Sequence, residues 1–286
     1  MTSEERTKFL KNLREKIEKE NYVKDNPWIK LKSETAQSLI DNTPDPSYWE
    51  TDTVIDKLTG CGLTNKAVVL FVGGTGDGKS LLLTHLAVKM SYTKKILYLS
   101  FENAADVDSV RIKDCLKVYK YTNLDNIDYI NILKLEEQDN TYKWSFNHLE
   151  KLIENNNYDL VCLDALQTTF DKINQEDIHK RGNEVISYLH RLATKYEIPL
   201  FITWQSSRTS APKKLDDITT DDISASYGTI RYCSEAFFIK REKGSRKLKL
   251  LKTRNSKNVN WDDNVYNLEM SAQFSVERFG EFLLKK

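Results

Sequence analysis

The residues Gly73-Gly74-Thr75-Gly76-Asp77-Gly78-Lys79-Ser80 restrict what this chain can fold into more than any other stretch. They follow the apolar run Ala67 to Val72 and precede the helix-like segment Leu81 to Met90, so the order is strand, glycine-rich loop, helix. The pattern is G-x-x-x-x-G-K-[ST], that of a phosphate-binding loop. Glycines let backbone N–H groups crowd around phosphate oxygens, and the N-terminus of the following helix adds its positive end to the same anion. Lys79 is expected to reach the β- and γ-phosphates of a nucleotide, and Ser80 to hold Mg²⁺.

A chain of 286 residues accommodates one α/β domain with an extension, or two small domains. Its 43 Lys+Arg against 42 Asp+Glu exclude a globally basic protein, so any surface for nucleic acid has to be local. Cys61, Cys115, Cys162 and Cys233 are far apart, with no C-x-x-C, and point to neither a zinc site nor a disulfide framework. A reducing cytoplasm is the expected compartment. The first residues are too charged for a signal peptide, and no run approaches the ~18 apolar residues of a membrane span.

Along the chain, Phe9, Leu10, Leu13 and Ile17 recur at helical spacing, and Thr2 with Glu5 fits a capping box. Pro27, Pro44 and Pro46 then mark a linker. Residues 1–50 therefore read as a helical extension and linker, and 51–286 as one catalytic core. The strand Ile96 to Phe101 ends at Glu102, expected beside the phosphate-loop strand as a carboxylate that activates water. Tyr158 to Asp164 reads as a strand delivering Asp164 to the Mg²⁺ shell. The strand Pro199 to Trp204 is tipped by Gln205, with Trp204 as packing. Two polar stretches hold cations: Lys172, Lys180 and Arg181 in Ala165 to Asn183, and Arg208, Lys213 and Lys214 in Ser206 to Ser226. The second reads as a loop of ~20 residues without structure, a length that is uncommon unless functional. Glu235 to Lys240 and Lys247 to Leu250 read as an antiparallel pair closing the sheet. From Lys240 to Lys257 there are nine Lys/Arg and a single acid, a pattern expected of a solvated edge hairpin protected by lysines.

Taken together, GGTGDGKS, YLSFENAADVDSVR, YDLVCLDALQ, IPLFITWQSSR, DDISASYGTIRYCSEAFFIKRE and LLKTRN resemble the RecA-type ATPase domain of DnaB-type replicative hexameric helicases, over roughly residues 50 to 275. The resemblance implies an α/β fold with a RecA-like P-loop NTPase core: a mostly parallel sheet flanked by helices, an antiparallel C-terminal edge, and a short helical N-terminal extension. It implies ATP and Mg²⁺ as ligands, with Lys79 and Ser80 on phosphate and magnesium and Asp164 as the Mg²⁺-linked aspartate. Glu102 matches the general base, and Gln205 the glutamine that senses the γ-phosphate and connects it to a DNA-binding loop. Lys252 and Arg254 match the lysine and arginine finger that a subunit inserts into its neighbour's site.

The same resemblance implies a homo-oligomer, a hexamer in that family, that grips single-stranded DNA through the six loop cations, unwinds duplex during replication, and meets a primase or a loader protein. Three departures bear on it. Only about 50 residues precede the core where these helicases carry a large collar domain. The acidic strands read Ser-Phe-Glu-Asn and Asp-Ala-Leu-Gln rather than Ser-Leu-Glu-Met and Asp-Tyr-Leu-Gln. Between Tyr227 and Ala236, Arg231-Tyr232-Cys233 replaces the usual acidic and glutamine residues. The alternative is a RecA-like DNA-binding, recombination or accessory ATPase that does not unwind.

Overall fold

Apolar runs of five or six residues with no polar face have to be covered on both sides, which is the situation of strands in a parallel sheet between helices. A computed structural model places them so. It describes residues 48–51, 53–60, 62–119, 124–139, 141, 143–166, 175–223, 226–242, 245–254 and 265–268, all within the unit Ser47–Lys286. The expected helix over residues 3 to 20 and its linker up to residue 47 lie outside the described residues.

The strands are β1 (Tyr48–Trp49), β2 (Leu63–Thr64), β3 (Val68–Gly73), β4 (Ile96–Ser100), β5 (Ile127–Asn131), β6 (Leu160–Asp164), β7 (Leu200–Gln205), β8 (Glu235–Glu242), β9 (Ser245–Thr253) and β10 (Val265–Leu268). The helices are α1 (Val54–Thr59), α2 (Lys79–Met90), α3 (Ala105–Tyr119), α4 (Ile132–Gln138), α5 (Phe146–Asn155), α6 (Gln175–Tyr196) and α7 (Ser226–Tyr232). β1 and β2 form a small antiparallel pair. The main sheet has eight strands in the order β10-β9-β8-β3-β7-β6-β4-β5. From β8 to β5 every pairing is parallel, and β9 joins β8 and β10 antiparallel. The α/β core with a mostly parallel sheet and an antiparallel C-terminal side is thus the RecA-like arrangement of a P-loop NTPase.

The two-residue period of a strand divides the core into two layers. Val68, Leu70 and Val72 face one side with Leu149 and Ile153 of α5 and Ile186 and Leu189 of α6. Val69 and Phe71 face the other with Ile55 of α1 and Leu82, Leu83 and Leu86 of α2. α1 is capped by the Thr53 hydroxyl, which accepts the Ile55 N–H at 3.2 Å, and stops at Gly60, whose φ of 75° suits a residue without Cβ. α2 is buried on nearly every side, so the phosphate loop that starts it is anchored at one end in a central strand and at the other in a core helix.

Three expectations change. β4 does not lie beside β3: β7 and β6 are inserted between them, since consecutive strands in sequence need not be neighbours in space. β9 is not a protected edge, because β10 pairs along its other side at Arg246 to Lys249. The stretch after Gln205 is not structureless. Three 3₁₀ turns, Arg208–Ser210, Leu215–Asp217 and Thr220–Asp222, build it, and an antiparallel bridge joins Ser206 to Ile223.

Candidate nucleotide-binding active site

The phosphate loop leaves β3 at Gly73 and enters α2 at Lys79. Gly76 and Gly78 have φ of 82° and 105°, left-handed values that a side chain resists. The Lys79 ammonium group is folded back over the loop, donating to the carbonyls of Gly73 (3.0 Å) and Gly74 (2.8 Å) and to Gln205 Oε1 (3.3 Å). Burial lowers its pKa, and the carboxylates of Asp77, Glu102 and Asp164 oppose that shift. Gln205, the exposed tip of β7, donates through Nε2 to Thr75 Oγ1 at 3.1 Å. The two tips of β3 and β7 are therefore joined across the loop by side chains that each contact it. The core position expected of Trp204 is seen: it is fully buried.

Asp164 ends β6, fully buried. Its Oδ1 accepts from the Ser80 hydroxyl (2.9 Å) and the Thr203 hydroxyl (2.7 Å), and its Oδ2 from Tyr98 OH (3.1 Å) and Asn103 Nδ2 (3.4 Å). Burial raises its pKa, while the Thr203, Ser80 and Tyr98 donors hold it down. Thr203 and Tyr98 were missed in the sequence, although each is a hydroxyl on an otherwise apolar strand, which is the available signal.

Glu102 is exposed between two anchored residues. Phe101 is buried edge-on against Trp144, with ring centres 5.4 Å apart, and its N–H donates to the Asp164 carbonyl at 2.6 Å. Asn103 binds Asp164 through its side chain, and its carbonyl accepts from Asn131 Nδ2 at 2.8 Å. Phe101 and Asn103 thus fix the backbone on either side of the carboxylate, which is turned to solvent. Arg111 pairs with Asp108. Asp108, buried in the first turn of α3, accepts from Ser100 Oγ (2.6 Å), Tyr129 OH (2.7 Å) and Arg111 Nη1 (3.1 Å).

Lys252 and Arg254 lie away from this loop. Thr253 pairs with Glu235, and Glu235 with Val69 near the start of β3, which puts Thr253 four strand positions, roughly 13 Å measured along the strand direction, below the level of Gly73. Lys252 Nζ donates to the carbonyls of Cys233 (2.8 Å) and Ile230, and Arg254 to that of Arg231. The residue of β9 that reaches its own loop is Arg246, buried, with Nε donating to the Asp77 carbonyl at 2.8 Å. Burial lowers its pKa, Arg241 adds to the effect and Asp77 opposes it.

Of the six loop cations, Lys172 lies outside the described residues, and Lys180 and Arg181 fall on α6. Arg208 and Lys214 are exposed. Lys213 is committed to a buried acid, with Nζ 2.7 Å from Asp222 Oδ1. Burial alone would raise the Asp222 pKa, but hydrogen bonds from Lys213 and Thr219 outweigh it and hold the carboxyl below its usual range. Lys213→Met is expected to cost about 1–2 kcal/mol, less than a fully buried pair because the lysine is partly exposed. A lowered carboxylate pKa contributes stability above the unfolded value and loses it as pH falls through the folded one, so the wild-type advantage should be intact above about pH 4 and shrink progressively as pH falls below it. Denaturant titration of both proteins at neutral and acid pH checks this.

Two lysines of the basic run have structural roles. Lys240 Nζ donates to the carbonyls of Ser210 (3.1 Å), Ala211 (3.2 Å) and Lys213, and Lys249 Nζ to those of Leu215 (3.3 Å), Asp216 (2.7 Å) and Ile218 (2.9 Å). Glu242 accepts the Leu215 N–H at 2.8 Å. The segment after Gln205 is thereby pinned along the β8–β9 hairpin. A spacing of charges cannot reveal that ammonium groups cap carbonyls distant in sequence. Cys115, Cys162 and Cys233 are free and buried. No helix among the described residues is long and apolar enough to cross a membrane.

A parallel α/β sheet with a glycine loop, a buried lysine and a Ser–Asp pair at one edge defines a P-loop nucleotide-binding domain of RecA-like type. The chain belongs to the AAA domain family, which it matches over residues 48–211. It is similar to the DNA repair protein RadA of Listeria monocytogenes, 24% identical over 197 residues, covering 66% of this chain and 36% of that protein. It is similar also to the DNA repair protein RadA of Aquifex aeolicus, 26% identical over 175 residues, 57% of this chain and 34% of that protein. The chain thus spans about a third of the length of these curated relatives.

Proposed function

We propose that this protein hydrolyses ATP at a site completed by a second copy of the chain, and uses the turnover to move on single-stranded DNA as a ring, in the manner of DnaB-type helicases. The observation that carries the reading is the separation on β9: Lys252 and Arg254 sit at the end of the sheet remote from their own phosphate loop, which supports a role at a neighbour's nucleotide. Charge developing on the γ-phosphate would then be stabilised in trans.

Within one subunit the geometry supports the following roles. Lys79 exchanges its two loop carbonyls and Gln205 for phosphate oxygens. Ser80 Oγ and Asp164 Oδ1, hard oxygens 2.9 Å apart, fit a Mg²⁺ that keeps water and phosphate as its other ligands. Bound Mg²⁺ would neutralise charge on the β- and γ-oxygens. Glu102, anchored on both sides and open to solvent, accepts the proton of the attacking water. Gln205, released from Lys79 when phosphate arrives, reports occupancy to the segment that follows it.

A second reading, a DNA repair or recombination ATPase that does not unwind, is favoured by the similarity to RadA proteins. Solution mass with nucleotide, DNA-stimulated hydrolysis and strand displacement on a forked duplex separate the two. Rings that displace a strand support the helicase; rings stimulated by DNA without displacement support the repair ATPase; a monomer whose hydrolysis ignores DNA sinks both. Arg254→Ala is expected to lose activity and to regain it when mixed with a subunit that keeps Arg254 but carries Lys79→Ala. Absence of rescue would count against a shared site.

A further inference from the structure

The phosphate loop is tied to the β8–β9 hairpin of its own subunit by contacts that none of the roles above uses. Arg246 Nε donates to the Asp77 carbonyl at 2.8 Å. The Asp77 carboxylate accepts the Gly74 N–H through Oδ2 (2.7 Å) and the Arg241 N–H through Oδ1 (3.1 Å), so one side chain staples the loop to itself and to β8. The packing is equally close. A Cβ on Gly73 would stand 2.5 Å from the Ile239 carbonyl oxygen, and one on Gly78 would stand 2.8 Å from Arg246 Nε. Arg246 is 8% exposed, deep enough that its contact with the loop is held by packing and not only by charge.

A phosphate nest is built from backbone N–H groups, and Arg246 takes a carbonyl of the loop, so its hydrogen bond does not compete with an anion for those donors. Glycine loses more conformational freedom on ordering than any other residue, and this loop has four in six positions from Gly73 to Gly78. A clamp that orders it beforehand spares the nucleotide that cost on binding.

We propose that Arg246, acting with the Asp77 carboxylate, is a positioning residue that pre-orders the phosphate loop from within its own subunit. The inference rests on the reading of this loop as a nucleotide site. Arg246→Met keeps an apolar stem of similar length and removes the donor, and Arg246→Lys returns one donor. With N-methylanthraniloyl-ADP titrated onto the full chain without metal, the Kd should rise about tenfold in Arg246→Met, as for loss of one charge-assisted hydrogen bond, and recover to within about threefold in Arg246→Lys. Backbone amide exchange over residues 73–79 should quicken in nucleotide-free Arg246→Met. In steady state the KM for ATP should rise by more than kcat falls, as expected when ground and transition state lose the same support.

A merely structural arginine would lower the melting temperature and leave both the Kd and the loop exchange unchanged, and that result overturns the proposal. Should Arg246→Met fail to fold, Asp77→Ala carries the test: it removes both carboxylate ties, weaker ADP binding is expected, and unchanged binding overturns the proposal. Failure of the wild-type chain to bind the ADP probe would refute the nucleotide site itself, a result distinct from wild-type binding that Arg246→Met leaves intact.

Discussion

Lys79→Ala is expected to reduce ATP turnover by at least about 10²–10³-fold, the range for removing one pre-placed electrostatic donor from a transition state. The ammonium group is well placed for so large an effect. It is 8% exposed and sits among the carboxylates of Asp77, Glu102 and Asp164. It also satisfies the carbonyls of Gly73 and Gly74. The alanine variant should therefore also melt at a slightly lower temperature while keeping its fold. Phosphate release measured under saturating ATP, alongside circular dichroism, checks both; normal turnover in a folded variant would refute the site.

Glu102→Gln is expected to separate binding from chemistry. The glutamine is isosteric and leaves the anchors at Phe101 and Asn103 untouched, so nucleotide affinity should stay within about twofold while single-turnover hydrolysis slows by about 10²-fold or more, the effect of losing a general base. The contrast with Lys79→Ala lies in where the side chains stand. Lys79 lies within the loop that holds phosphate, whereas Glu102 projects from the end of β4, two strands further from β3 than its neighbour β7. Equal losses of affinity and rate in Glu102→Gln would place the carboxylate on the phosphates and remove it from the role of base.

The phosphate loop, Glu102, Asp164 and Gln205 were legible because each stands where an apolar run stops. Strand ends are visible in sequence as a change from continuous hydrophobicity to glycine, acid or amide, and in a parallel sheet those ends lie along one edge. Lateral order was not legible: nothing in Ile96 to Ser100 says that two strands separate it from β3. Polar residues inside strands were passed over, and so Thr203 and Tyr98, which hold Asp164, went unnoticed. The basic run misled most. Arg246, Lys240 and Lys249 read as solvent charge, because the contacts that occupy them lie 27 to 169 positions away in the chain. Register across an antiparallel hairpin, which sets Arg246 opposite Arg241, decides which cation meets the loop, and register depends on pairing that no local pattern encodes.

The two ammonium groups beneath the segment after Gln205 have a consequence for how that surface can change. Lys240 and Lys249 hold carbonyl oxygens from Ser210 to Ile218, and a carbonyl is the same whatever side chain its residue carries. The placement of these carbonyls therefore does not depend on the side chains of Ala211 or Asp216. Substitutions there can alter what the surface touches while the backbone stays where the two lysines hold it, so this face can acquire new specificity without a change in the phosphate loop.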